Sequence, residues 1–104
     1  MKISETPKPP YYAVIFTSTR TEVADGYEQT SMRMEELAKM QEGFLGIESA
    51  RNEVGITVSY WKNLQAIKNW KANEEHLLAQ EKGKDTWYKN YTIRICKVEM
   101  EYGK

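Results

Sequence analysis

The chain has 104 residues and a mass of 12.2 kDa, the size of one domain. Fifteen Lys and Arg balance fifteen Asp and Glu, with no basic run beyond two residues, which excludes the footprint of a nucleic-acid binder or a lipid-surface patch. One cysteine, Cys96, allows no internal disulfide, and no stretch approaches the roughly 18 apolar residues of a spanning helix, so the expectation is a soluble, cytoplasmic protein with no nucleic-acid or membrane partner.

In chain order, residues 1–10 read as an extended or mobile leader closed by Lys8-Pro9-Pro10, and 11–104 as a single domain. Tyr11 to Thr17 is β-branched and aromatic with no breaker, a strand. Asp25 with Glu28 resembles a capping box that opens a helix to about Gln41, with Tyr27, Thr30, Ser31, Met34, Leu37 and Ala38 on one face and Gly43 as the stop. Phe44–Asn52 and Ile56–Trp61 form a hairpin through Asn52, Glu53 and Gly55. Asn63 caps a short helix carrying Leu64, Ile67 and Trp70. A break near Ala72-Asn73 separates it from a second helical piece, Glu74 to Tyr88, and Tyr91 to Tyr102 is the last strand.

The order β-α-β-β-α-α-β is the ferredoxin-like split βαβ pattern of an α+β fold. With right-handed crossovers it gives a four-stranded antiparallel sheet with helices on one face. The first strand carries Tyr11, Ala13 and Ile15 on one side and Tyr12, Val14 and Phe16 on the other, and neither set suits water. A second copy packed face to face is the simplest cover, so the expected partner is the chain itself, as a two-fold homodimer.

Val58-Ser59-Tyr60-Trp61, Ala66-Ile67-Lys68-Asn69-Trp70-Lys71, Glu75-His76, Ala79 to Gly83, Trp87 to Tyr91, Arg94 and a Val-Glu-x-x-Tyr ending resemble the antibiotic biosynthesis monooxygenase family. The resemblance covers roughly residues 11 to 102. It implies the dimeric α+β barrel superfamily and, in some members, cofactor-independent oxidation of phenolic or quinone-forming polyketides by O2, with neither flavin nor haem. Such chemistry takes a proton from the substrate, holds the anion with donors and excludes water.

His76, Ala79, Gln80, Gly83 and Trp87 lie on one helical stripe in which the small and polar members depart from an ordinary core. In the functional reading His76 is a base or donor, Trp61, Trp70 and Trp87 are apolar walls, and Gln80 shares the cleft. Tyr60, Tyr88 and Tyr91 are candidate donors to a substrate oxygen, and Arg94 is a candidate counter-charge. In the alternative, His76 sits at a helix start, partly exposed and bonded to backbone. Cys96 reads as a buried structural thiol.

A haem-degrading branch of the same fold is the competing enzyme class. The resemblance places its proximal histidine at Gln80 and its first-strand asparagine among Phe16-Thr17-Ser18, so only Trp70 of three functional positions is present. One His and one Cys far apart argue against a transition-metal site, and no phosphate-binding glycine motif occurs. The readings are therefore a cofactor-free oxygenase or a non-catalytic dimer that binds a small apolar or aromatic molecule.

Overall fold

A computed structural model describes residues 2–80 and 83–104. The elements are β1 (Tyr11–Arg20), α1 (Tyr27–Lys39), β2 (Phe44–Arg51), β3 (Gly55–Trp61), α2 (Leu64–Gln80), α3 (Gly83–Trp87) and β4 (Tyr88–Val98). The strands form one antiparallel sheet in the order β2-β3-β1-β4, the expected ferredoxin-like α+β arrangement. Strand alternation sends Tyr12, Val14 and Phe16 toward the helices and Tyr11, Ala13 and Ile15 to the outer face. In register with them, Trp61, Ser59 and Thr57 face the helices, and Tyr60, Val58 and Ile56 face outward.

The core lies where α1 and α2 meet the sheet. Ala38, Trp61, Ala66, Ile67 and Trp70 are buried together, with Tyr12, Val14, Met34, Leu37 and Phe44 packed around them. Trp61 stacks on Trp70 at 5.8 Å between ring centroids and meets Phe44 edge-on at 5.5 Å. Ala38 and Ala66 let the helices approach, and Gly43 makes the tight passage from α1 to β2. It has φ 88°, and a Cβ there would lie 2.6 Å from that of Ala66.

Helix α1 starts one residue later than the expected capping box. Its N-cap is Gly26, at φ 78°, and no side chain caps the helix; the backbone oxygen of Asp25 instead accepts from Trp87 Nε1 at 2.9 Å. At α2 the expected cap is present, with Asn63 Oδ1 accepting from the Ala66 amide at 2.8 Å. Asn63→Ala is expected to cost about 1 kcal/mol of unfolding free energy, read from a denaturant midpoint that shifts with no change in slope.

The expected break at Ala72-Asn73 does not occur. Asn73 stays helical, its side-chain amide donating to the Asn69 carbonyl one turn back at 2.9 Å, and α2 runs unbroken for 17 residues. The last strand begins at Tyr88 rather than Tyr91 and ends at Val98, because β4 pairs with the whole length of β1. Residues 81 and 82 of the Ala79 to Gly83 segment lie outside the described residues.

Candidate functional site

The far ends of β1 and α3 are stitched together before any site residue is placed. Arg20 Nη2 donates to the Val23 carbonyl at 2.8 Å, the Thr21 amide donates to the Trp87 carbonyl at 2.9 Å, and Thr21 Oγ1 donates to that of Thr86 at 2.5 Å. Arg20 also lies 3.3 Å over the Tyr27 ring, a cation on an aromatic face. These contacts fix an aromatic wall. Tyr27 meets Trp87 and Tyr88 edge-on at 5.8 and 6.1 Å, while Phe16 stacks on Tyr91 at 5.3 Å and meets Tyr88 edge-on at 5.4 Å.

That wall closes one end of a cavity of about 340 Å³ between the helices and the inner sheet face. Val14, Ile47, Met34, Leu78 and Trp70 supply its apolar surface, and Thr30, Ser31, Thr57 and Ser59 its hydroxyls. Its volume falls at the small end of the about 300–1,000 Å³ usual for ligand sites. A second recess of about 300 Å³ shares Phe16, Glu74 and Leu78 with the first and continues to Lys84, Tyr91 and Ile93.

Three charged residues line the main cavity: Glu35 on α1, Glu74 on α2 and Arg51 at the end of β2. Glu74, on α2, is only partly exposed, and burial pushes its carboxyl up to about 7; neighbouring Glu75 adds to the shift and Lys71 opposes it. Arg51, at the end of β2, donates to Ser18 Oγ and reaches the Ser18 carbonyl at 3.5 Å. Gly55 pairs opposite Arg51, and a Cβ there would collide with the guanidinium. Burial also raises the Tyr88 phenol, helped by its hydrogen bond with Tyr27 and opposed by Arg51, so it stays a neutral donor at physiological pH.

The expected site residues are divided by this geometry. Trp70 and Trp87 line the cavity. Trp61 does not: it is fully buried beyond Trp70, its Nε1 donating to Ser59 Oγ at 2.8 Å. Tyr60 lies on the outer face, donating to Glu48 at 2.6 Å; burial and that carboxylate push its phenol up to about 12. Arg94 is exposed on the outer face, opposite Ile15. His76 and Gln80 are exposed and line neither cavity, whereas Trp87 lines the first and Ala79 the second, so the expected stripe is divided rather than facing one cleft. The cause is the continuous helix: counted from Trp70, His76 falls about 120° round the axis and Glu74 only about 40°. Cys96 is half-buried on the outer face, opposite Ala13. Among the described residues, no group of three or more His, Cys, Asp or Glu could hold a metal, and no helix is long and apolar enough to cross a membrane.

Comparison with known proteins places this geometry in a wider set. The family model described as antibiotic biosynthesis monooxygenase matches residues 10–82. YqjZ of Bacillus subtilis (strain 168), itself uncharacterized, is 50% identical over 101 residues, covering 95% of this chain and 89% of that protein. Among solved structures, SnoaB, a cofactor-independent oxygenase from Streptomyces nogalater, aligns over 92% of this chain and 100% of its own with a TM-score of 0.74 at 11% identity. A conserved protein from Methanosarcina mazei aligns over 84% of this chain and 91% of its own, with a TM-score of 0.70 at 12% identity. At such identities the two structures share the fold alone.

Proposed function

The chain belongs to the antibiotic biosynthesis monooxygenase family, and from that premise we propose that it is a cofactor-independent monooxygenase acting on a small aromatic or polyketide-like substrate in the cavity between helices and sheet. The observation that carries this reading is the cavity itself: aromatic and aliphatic walls from Val14, Phe16, Met34, Trp70 and Trp87, set with hydroxyls and with a carboxyl that titrates near neutrality. An electron-rich substrate ionised there hands electrons to O2. One oxygen atom enters the substrate as a carbonyl, replacing two hydrogens, and the other leaves as water. The apolar walls keep solvent from the intermediates.

Oxygen uptake on a panel of hydroquinones and anthrones, with protein free of flavin and haem absorbance, tests the proposal. The expected result is one O2 consumed per molecule oxidised, at a rate that saturates with substrate. No uptake above the protein-free rate across the panel would leave only the binding role. His76→Ala is expected to leave that turnover unchanged, because the side chain points away from the chamber. A loss of about 100-fold in this variant would return the base to His76 and move the site to the outer side of α2.

The same reading includes a homodimer through the outer sheet face. Ile15, Val58 and Ile56 face away from the helices, and Ile56 is 45% exposed. Among the described residues, Ser4 and Thr6 of the leader strap one end of this face: the Ser4 amide donates to Glu48 at 2.8 Å and Thr6 Oγ1 to Glu101 at 2.8 Å. A face-to-face pair covering about 800 Å² per partner would bury the rest. A melting temperature that rises with protein concentration is expected, together with a scattering mass twice that of the 12.2 kDa chain. A monomeric mass at micromolar concentration would refute the dimer.

A further inference from the structure

Two hollows lie side by side along α2. The chamber holds about 340 Å³ and the second recess about 300 Å³, so joining them would nearly double the space open to a ligand. Phe16, Glu74 and Leu78 line both, and these three side chains therefore make the wall between them. Glu74 and Leu78 stand one turn apart on the same face of α2, and Phe16 faces them from β1. Beyond the wall the recess has an apolar floor. Ile93 of β4 pairs opposite Phe16, Tyr91 stacks on the Phe16 ring, and Ala79 of α2 is too small to fill the gap above them. Glu75 and Lys84 stand exposed at its rim.

The three wall residues differ in what else they do. Phe16 is held by Tyr91 and, edge-on at 5.4 Å, by Tyr88, so it also belongs to the aromatic wall of the chamber. Glu74 brings the carboxyl. Leu78 is half-buried, while α2 buries Ala66, Ile67, Trp70 and Leu77 against the rest of the fold. Its bulk serves the wall more than the core. Since a cavity of about 150 Å³ holds a single benzene ring, the chamber takes roughly two or three fused rings. A further ring in line with them has to pass Leu78.

We propose that Leu78, backed by Phe16, sets the upper size of the ligand. It confines the ligand to the chamber, and a smaller side chain at this position opens the second recess to a longer one. Ligands of the wild-type protein are then limited to roughly three fused rings. The proposal rests on the chamber being the ligand site, as in the oxygenase reading, and on no chemistry done there.

The test compares binding of anthraquinone, with three fused rings, and naphthacenequinone, with four. Neither carries an ionisable hydroxyl, so size is read without proton transfer or turnover. Quenching of the fluorescence of Trp70 and Trp87 reports occupancy of the chamber they line. The wild type should bind the four-ring quinone about 10-fold or more weakly than the three-ring one, the scale for a group that an apolar pocket does not fit. Leu78→Ala should bind the four-ring quinone about 10-fold or more tightly than the wild type does, and the three-ring quinone within about 3-fold of it. Adding Ala79→Leu, which fills the recess from the same helix, should remove that gain. If Leu78→Ala does not fold, Phe16→Leu lowers the same wall from β1 and should show the gain in its place. A wild type that binds the four-ring quinone as tightly as the three-ring one would overturn the partition and leave the chamber as the ligand site. So would no gain in the folded wall variant, or a gain that survives Ala79→Leu. Failure of the wild type to bind either quinone would overturn the chamber reading itself, and the partition with it.

Discussion

Trp61→Ala is expected to cost about 3–5 kcal/mol of stability, as full truncation of a buried indole does. Trp61 has no exposure, stacks on Trp70, meets Phe44 edge-on and donates to the buried Ser59 hydroxyl. The deletion therefore removes the centre of the core and leaves Ser59 without its donor. Against about 5–15 kcal/mol for a whole domain, such a loss brings the chain close to unfolding at ordinary temperature. Trp61→Phe keeps most of the buried area and is expected to recover most of the stability, with turnover per folded molecule unchanged because Trp61 lies outside the cavity. Thermal melts and oxygen uptake on the two variants check both halves. A stable Trp61→Ala protein with a changed substrate preference would return this indole to the binding site.

Glu74→Gln is expected to lower kcat/KM by about 10²-fold or more, the scale for removing a general base. In the wild type the pH profile should rise through the carboxyl ionisation at about 7, and this limb should vanish in the variant. Stability should move the opposite way. The carboxyl titrates near 7 in the folded chain against 4.5 for the ordinary group, so between those values the folded state holds a proton that the unfolded chain has lost. Wild-type stability consequently falls as pH rises from 4.5 to 7, and stays lower above that range. Glu74→Gln carries no such loss, so it should melt higher than the wild type at pH 8 and alike near pH 4. A variant that is both slower and less stable at pH 8 would point to a structural role for this carboxyl.

Much of the frame was legible from local chemistry. The β-branched run of β1, the Asn63 cap, the Gly43 stop and the hairpin pattern of β2 and β3 each act within a few residues, and together they leave one sheet order. The site was less legible because its geometry depends on helix phase and depth. A break at Ala72-Asn73 resets the phase and turns His76 inward; the unbroken α2 turns Glu74 inward instead, in line with Trp70 and Leu78 at four-residue steps. That Trp70-x3-Glu74-x3-Leu78 spacing was the available signal, hidden because Glu74 and Glu75 look alike in sequence. Trp61 faces the helices from β3, and only packing shows that it lies behind Trp70 rather than beside the ligand space. Arg51 was missed because its role comes from contact with Gly55 and Ser18 on two other strands. Tyr60 and Arg94 fell on the outer face through strand register alone.

The central claim is that chemistry takes place in the chamber between α1, α2 and the inner sheet face. A crystal structure of the protein with an anthraquinone, the product-like form of an anthrone substrate, tests this most directly. The account predicts the rings between Met34, Trp87 and Tyr88, with one oxygen beside the Arg51 guanidinium and Glu74 within hydrogen-bonding reach of the same oxygen. Anthraquinone bound instead beside His76 on the exposed side of α2, or on the outer sheet face near Tyr60 and Arg94, with the chamber holding only water, would contradict it.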